Sequence, residues 1–280
     1  MTTTITPDML CHFARHLKDE ERSSGTWEKY LRDVRRFARW LGERPLSREH
    51  ASDWKLHLLE KGYAPTTVNS MLAALNTFLA FIGKADYRTR LLRVQRRLFR
   101  DESKALSRPE YEQLLATAHA CGKERLALVI ETLCATGIRV SELRYITVEA
   151  LRARRADISL KGKIRTILLP GKLCRKLQKY ARKQKTASGV LFRTRSGRAL
   201  SRKQIWAEMK ALAKKAGIAP SKVFPHNLRH LFARCFYRTY HDVVKLADLL
   251  GHSSIETTRL YLLATGAEHQ RQIERLRLIH

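Results

Sequence analysis

The stretch His226-Asn227-Leu228-Arg229-His230 places two imidazoles and a guanidinium on one face if it is helical. Such a face suits a phosphate group and the protons that move at it, because arginine stays charged and histidine titrates close to neutral pH. Histidines four residues apart, as in His226 and His230, also occur in metal sites. Arg229 on the same face would repel a cation, and no carboxylate or thiol is spaced to complete a ligand set. The pattern therefore favours a phosphate site, with a packed core histidine as the alternative for His230.

A second signal lies in the segment 135–143, where Arg139 follows a Thr-Gly turn and Glu142 comes three residues later. One helical turn can pair the two side chains and hold the guanidinium in place. Arginine and glutamate at this spacing are also common on exposed helices. A simple surface pair is therefore the alternative for Arg139 and Glu142.

Two more signals complete the set: a basic turn over Lys161–Lys163, and His252 after a Leu-Gly pair with Tyr261 nine residues further on. Tyr261 alone would be read as a packing residue, since the chain contains nine tyrosines. Breaking a phosphodiester without metal requires cations on the non-bridging oxygens, a nucleophile and an acid for the leaving oxygen. The four signals together supply each of these parts.

The charge of the chain points to a polyanionic partner. Its 280 residues contain 55 Lys and Arg against 26 Asp and Glu, a formal net charge of +29. Nucleic acid is the first expectation, and a membrane surface, a ribosome or an acidic protein is the alternative. Charge does not distinguish DNA from RNA.

Several classes are disfavoured. No apolar stretch approaches the roughly 18 residues of a membrane span, and the first residues lack a secretory signal pattern, so we expect a cytoplasmic, nucleoid-associated protein without membrane contact. No C-x-x-C pair is present, which argues against zinc sites and a disulfide framework. We expect ordinary core thiols at Cys11, Cys121, Cys134, Cys174 and Cys235.

The first 85 residues or so have helical patterns. Apolar residues at helical spacing predict a helix over 27–41 that ends at Gly42. Its polar side is basic, and phosphate contact is favoured over a merely solvated face. These residues are Arg32, Arg35, Arg36 and Arg39.

A second helix is predicted to begin after Pro65, with Thr66 or Thr67 as its cap, and to stop at Gly83. The pattern then gives way to charge, which predicts a linker. Its six arginines are Arg88, Arg90, Arg93, Arg96, Arg97 and Arg100.

A new domain begins near residue 105. Ser107 and Glu110 form a capping box that predicts a fresh helix. The segments Asp157–Leu160 and Arg165–Leu169 predict a short hairpin across the basic turn. Everything after the hairpin is predicted to be helical.

These motifs resemble the tyrosine recombinases, the family of phage integrases, integrases of conjugative transposons and Xer-type resolvases. The resemblance is strongest over 135–143, 226–230 and 249–261 and covers nearly the whole chain. It implies a mainly α, two-domain clamp with a small antiparallel β-sheet in the catalytic domain. The implied parts are an N-terminal helical core-binding (SAM-like) DNA-binding domain at 1–87, a basic interdomain linker at 88–105, and a catalytic domain with a C-terminal tail helix at 106–280.

The resemblance also implies a role for each site residue. Tyr261 looks like the nucleophile that forms a 3′-phosphotyrosine, and Arg139 and Arg229 look like the arginines that clamp the phosphate. His226 resembles the proton-transfer histidine, and His252 the one that hydrogen-bonds a non-bridging oxygen. The remaining roles are the general acid at Lys161, with Lys163 as the alternative, and supporting positions at Glu142 and His230.

The implied partners are double-stranded DNA recombination sites, a homotetramer that resolves a Holliday junction, and an accessory excision factor. No cofactor and no metal are expected. No arm-binding domain is expected ahead of Thr26, and the tail over 264–280 packs on a neighbouring protomer or on its own domain. The implied DNA-binding arginines are Arg32, Arg35, Arg36, Arg39, Arg93, Arg96 and Arg97.

Mobile-element integration is preferred to Xer-type dimer resolution because the chain is highly basic. A type IB topoisomerase, which rejoins the original strand, and a non-enzymatic DNA clamp are the competing interpretations.

Overall fold

The computed structural model describes residues 4–94, 102–160, 163–194, 196–262 and 273–276, with the side chains at 102, 159, 160, 163 and 164 outside the description. The chain divides into two compact units, Met1–Arg96 and Arg97–His280. Both are built mainly from α-helices, and a two-stranded antiparallel sheet lies in the second. The predicted fold class, mainly α with a small antiparallel sheet, is confirmed.

Over residues 4–94, the first unit is a bundle of four helices. They are α1 (Pro7–Asp19), α2 (Ser24–Leu41), α3 (Arg48–Glu60) and α4 (Pro65–Phe81), followed by the 3₁₀ helix Ala85–Tyr87. α2 packs between α1 and α4, and Phe37 and Trp54 meet edge to face in the core at 5.6 Å between ring centroids. The predicted end of α2 is confirmed, since Gly42 follows Leu41 with φ of +63°.

The predicted cap of α4 is wrong. The helix begins at Pro65, its N-cap is Ala64, and neither Thr66 nor Thr67 caps it. Proline fits the first helical position because its φ is already helical and no N–H is needed there. The proline therefore starts the helix, one residue before Thr66 and two before Thr67, the two threonines that were expected to cap it.

The second unit carries most of the elements. They are the 3₁₀ helix Glu102–Lys104, α5 (Arg108–Ala120), α6 (Glu124–Thr136), the 3₁₀ helix Val140–Tyr145, α7 (Val148–Ala153), β1 (Arg155–Leu160), β2 (Lys163–Leu168), α8 (Gly171–Lys183), α9 (Arg202–Lys215), the 3₁₀ helix Pro220–Lys222, α10 (Pro225–Tyr240), α11 (Val243–Leu250) and α12 (Ile255–Arg259). The Ser107–Glu110 capping box of α5 is present with both hydrogen bonds. α6 is buried along most of its length and packs against α10. This pairing brings the end of α6 next to the beginning of α10.

The predicted hairpin is confirmed, and both of its strands begin two residues earlier than expected. Arg155 is opposite Leu168, and Leu160 is opposite Lys163. The expectation that everything after the hairpin is helical is wrong between α8 and α9. There the chain makes isolated bridges, and two glycines with φ of +75° and +78° turn it in ways that a helix does not allow.

The expectation of core thiols holds for Cys174 and is wrong for three others. Cys11, Cys121 and Cys235 are exposed, and Cys134 is half-buried. Cys11 and Cys235 lie on the outer faces of α1 and α10, and Cys121 lies at the end of α5. Within the described ranges, no helix combines the length and the apolar character that crossing a bilayer requires.

Candidate active site

Arg229 is the anchor of the site and is only 2% exposed. It lies in the second turn of α10, and its two terminal nitrogens reach the ends of two other helices. Nη1 donates to the carbonyl of Gly137, the residue that ends α6, at 2.5 Å, and Nη2 donates to the carbonyl of Leu250, the last residue of α11, at 2.7 Å. Carbonyls at helix C-termini carry partial negative charge, so they compensate a buried guanidinium.

Burial lowers the pKa of Arg229 to about 10, and the charge of Arg139 acts in the same direction. A hydrogen bond with Tyr261 and the charge of its phenolate oppose this shift. Arg229 therefore remains a cation at neutral pH.

Gly137 has to be glycine for two reasons. Its φ is +63°, and a Cβ there would lie 2.5 Å from Cδ1 of Phe232 and 3.0 Å from Cδ2 of Leu250. The turn at Gly137 is thus packed directly against α10 and α11. This packing delivers the Gly137 carbonyl to Arg229.

Gly137→Ala is expected to lower the free energy of unfolding by about 2–5 kcal/mol, from left-handed strain together with overpacking. Gly122 is a matched control, because its φ is +64° and no atom lies within 4 Å of the position of its Cβ. Gly122→Ala should cost only the strain, about 1–2 kcal/mol. Urea unfolding measures both, and equal losses would show that the contact with Phe232 does not matter.

Arg139 and Glu142 are paired, and the pair is not a simple surface one. Glu142 is 2% exposed, and its Oε1 lies 3.0 Å from Nη1 of Arg139. Its Oε2 accepts from the backbone N–H of Arg139 at 2.8 Å. The side chain of Arg139 is 46% exposed, and its Nη2 lies 3.5 Å from the carbonyl oxygen of Gly251, so the guanidinium is held by Glu142 and still reaches solvent.

Tyr261 lies among three histidines, and its side chain is buried. Its ring stacks on His230 at 4.1 Å between centroids, meets His226 edge to face at 5.4 Å, and lies 5.2 Å from His252. His226 is exposed and reaches the site from the first turn of α10. His226 and His230 lie one turn apart on α10, and the short helix α12 separates His252 from Tyr261. These two elements thus place three histidines around one phenol ring.

His252 is held at both ring nitrogens. Nε2 lies 2.8 Å from Nη2 of Arg229, and Nδ1 lies 2.8 Å from Oγ1 of the fully buried Thr258. Arginine only donates, so Nε2 accepts, and in the neutral ring the proton lies on Nδ1 and is donated to Thr258. Burial and the charges of Arg229 and Arg139 lower the pKa of His252 to about 4. Although His226 is exposed at one side, the protein that covers the rest of its ring and the charges of the same two arginines also lower its pKa.

These shifts predict acid sensitivity. The unfolded chain binds a proton at His252 near the ordinary pKa of 6.5, and the folded chain does so only near 4. The contribution of His252 to the free energy of unfolding should therefore be fully present above about pH 7. It should fall as the pH is lowered from there toward the folded-state pKa of about 4. Urea unfolding at several pH values should give a smaller fall for His252→Gln, and an equal fall would contradict the lowered pKa.

The structure brings most of the predicted site residues together, and some lie outside the described residues. Arg139, Glu142, His226, Arg229, His230, His252 and Tyr261 form one cluster. Outside the description lie Lys161, Arg96, Arg97 and the side chain of Lys163, whose backbone begins β2. In the part of the chain that is described, no three His, Cys, Asp or Glu residues are grouped as a metal site would require.

The sequence-based prediction missed two residues of this cluster. Thr258 holds His252, and Arg165 in β2 contacts Glu142 and the end of α11. Thr258 precedes Tyr261 by three residues, a helical spacing that could have suggested it. Arg165 gave no local signal, because its partners lie 23 and 84 residues away in the chain.

Comparison with known proteins identifies the family. The phage integrase family matches residues 104–267, and the N-terminal SAM-like domain of phage integrases matches residues 10–86. The chain is 30% identical over 283 residues to the tyrosine recombinase XerA of Pyrococcus furiosus, with 99% of this chain and 96% of that protein covered. This chain is a tyrosine recombinase of the phage integrase family. The family and the enzyme class predicted from the motifs, site-specific DNA cleavage and rejoining, are confirmed.

Solved tyrosine recombinases share the fold. The integrase of transposon Tn1549 in complex with circular intermediate DNA aligns with a TM-score of 0.69 at 21% identity, covering 96% of this recombinase and 99% of that chain. A lambda integrase tetramer bound to a Holliday junction aligns with a TM-score of 0.72 at 17% identity, covering 91% of this recombinase and 76% of that chain.

Proposed function

We propose that Tyr261 is the nucleophile of a site-specific DNA recombinase. The observation that carries this proposal is the position of its phenol beside buried Arg229 and among three histidines. The phenolic oxygen attacks the scissile phosphorus, the bond to the 5′ oxygen breaks, and a 3′-phosphotyrosine and a 5′ hydroxyl result. The 5′ hydroxyl of the partner strand then attacks the phosphotyrosine, which forms a new phosphodiester and releases Tyr261. The number of phosphoester bonds is conserved, so no energy-rich cofactor is consumed.

Proton transfer falls to His226 and to a lysine of the hairpin. Because the pKa of His226 is lowered, its ring is neutral at pH 7 and can accept the proton of Tyr261. Lys161 gives a proton to the leaving 5′ oxygen, with Lys163 as the alternative. Arg139 and Arg229 bind the non-bridging oxygens and stabilise the charge that develops on them.

His252 needs a change of tautomer to take part. With its proton on Nδ1, it has no N–H left for a phosphate oxygen. When a phosphate draws the Arg229 donor away, Nε2 can carry the proton, and the Thr258 hydroxyl can then donate to Nδ1. A hydroxyl serves both tautomers because it is donor and acceptor at once.

DNA binding is proposed for the basic surfaces. The four arginines at positions 32, 35, 36 and 39 are exposed on α2, and Arg93 is exposed as well. Together with Arg96 and Arg97 they would contact phosphates, positioning the duplex without reading its sequence. In this proposal the domain at 1–87, the linker at 88–105 and the domain at 106–280 form a clamp, and four protomers assemble on two duplexes in the cell's nucleoid. An accessory excision factor would act on that assembly.

The biological role follows one of two lines. A mobile-element integrase suits a highly basic chain with a net charge of +29. The full-length likeness to XerA favours dimer resolution as the second candidate.

The test is covalent capture. The protein is incubated with nicked duplex fragments covering the flanks of its own gene and with a supercoiled plasmid library of its host genome. We expect a DNA-linked protein band on a denaturing gel, with the DNA attached to the peptide that contains Tyr261. Relaxed circles without recombinant joints would favour the topoisomerase interpretation. The absence of any adduct from both probes would favour the non-enzymatic clamp.

A further inference from the structure

Arg165 connects three elements of the second unit. Its Nη1 lies 3.3 Å and 3.4 Å from the two carboxylate oxygens of Glu142, and its Nη2 donates to the carbonyl of Leu249 at 2.7 Å. The side chain is 14% exposed. One guanidinium thus joins β2, the 3₁₀ helix Val140–Tyr145 and the end of α11.

The side chain of Arg165 also packs against Gly251, the residue that precedes His252. Gly251 has φ of +63°, and a Cβ there would lie 2.4 Å from Cδ and 2.8 Å from Nε of Arg165. Only glycine allows this conformation and this approach at once. The position of Arg165 therefore sets the position of the backbone that carries His252.

Arg165 neutralises part of the negative charge of the buried carboxylate of Glu142. Glu142 is 2% exposed, and such an anion is stable only when opposite charges and hydrogen bonds surround it. Arg139 supplies one guanidinium and Arg165 the other. Without Arg165, the half-exposed guanidinium of Arg139 would be drawn toward Glu142 and away from a phosphate.

We propose that Arg165 is a positioning residue for strand cleavage, which holds His252 and the Arg139–Glu142 pair in one fixed arrangement beside the hairpin. Arg229 contacts Tyr261 and His252 directly, whereas the hydrogen bonds of Arg165 go to Glu142 and Leu249, so Arg165 acts through its neighbours. Arg165 lies in β2, four residues after Lys161 and two after Lys163 in the sequence, the two candidates for the acid. The proposal rests on the proposed function, because its task belongs to the cleavage step.

The first test measures cleavage by Arg165→Met, which keeps an unbranched apolar stem and removes the charged guanidinium, and by Arg165→Lys. The probe is the nicked fragment that forms the adduct with the wild type. We expect Arg165→Met to cleave about 10- to 100-fold more slowly, because a displaced catalytic group costs rate, with affinity in a gel-shift assay near that of the wild type. Arg165→Lys should recover only part of the cleavage rate lost in Arg165→Met, since an ammonium lacks the planar fork that reaches Glu142 and Leu249 together. Arg155→Met is the matched control, because Arg155 lies on β1 with its side chain 65% exposed.

The second test needs no DNA. The ¹⁵N resonances of the His252 ring, measured by NMR, should move in Arg165→Met and stay in place in Arg155→Met. Gly251→Ala, which displaces the Arg165 side chain, should slow cleavage as well, and should slow it less when Arg165 is already methionine. If Arg165→Met does not fold, Arg165→Lys and Gly251→Ala carry both measurements.

The outcomes separate the two proposals. Wild-type cleavage rates and unmoved His252 resonances in the Arg165 variants would overturn the positioning role. Absence of an adduct with the wild type would overturn the proposed function, and the NMR comparison would still decide whether Arg165 positions His252.

Discussion

Tyr261→Phe is expected to abolish formation of the covalent DNA adduct, with a loss of at least about 10⁴-fold in the rate of cleavage. The substitution removes one oxygen and keeps the ring. Because that ring stacks on His230 at 4.1 Å and is 6% exposed, the packing of the site should survive. The phenol is the only part of the residue that can attack phosphorus, so the effect falls on chemistry. Denaturing gels with nicked fragments measure it directly.

Tyr237→Phe is the matched control for this prediction. Tyr237 lies in α10 and packs against the same small apolar cluster as Tyr261. Its variant should bind and cleave DNA like the wild type. An adduct that persists in Tyr261→Phe would assign the nucleophile to another residue, and loss in both variants would point to a packing defect.

The local motifs of the sequence indicated residues that the structure places in one cluster, because each motif is short. A helix places His226, Arg229 and His230 by spacing alone, and a turn with a following glutamate places Arg139. The residue types in each segment also indicate the chemistry, since cations, imidazoles and a phenol are the groups needed to cleave a phosphodiester with a tyrosine nucleophile. Family resemblance then joined segments that are far apart in the chain.

Contacts between distant elements could not be predicted from spacing. Arg165 belongs to the site through Leu249 and Glu142, and nothing near it in sequence indicates either partner. Burial was equally hidden for Glu142, because arginine and glutamate three residues apart occur more often on surfaces. The exposed Cys235 illustrates the converse, since average burial of a residue type does not decide which face of a helix it occupies.

Arg229→Lys is expected to lower the rate of cleavage about 10²- to 10³-fold, the size of effect seen when one preorganised donor is removed from a charge-stabilising site. Arginine reaches the carbonyls of Gly137 and Leu250 with two nitrogens of one rigid plane and still faces the site. An ammonium cannot make both contacts and also bind a phosphate with a planar fork. DNA binding should change little, because the total charge is conserved. Single-turnover cleavage and gel-shift assays on the same fragment separate the two effects.

The control is Arg238→Lys, an exposed position on the same helix, which should cleave normally. Arg229→Lys should also lose roughly 1–3 kcal/mol of unfolding free energy, since a helix-end carbonyl is left buried and unpaired. That loss is too small to unfold a domain of ordinary stability, so a folded but slow enzyme is the expected result. If the folded variant cleaves at the wild-type rate, the fork of Arg229 serves only to join α6 and α11, and the phosphate is held by Arg139 alone.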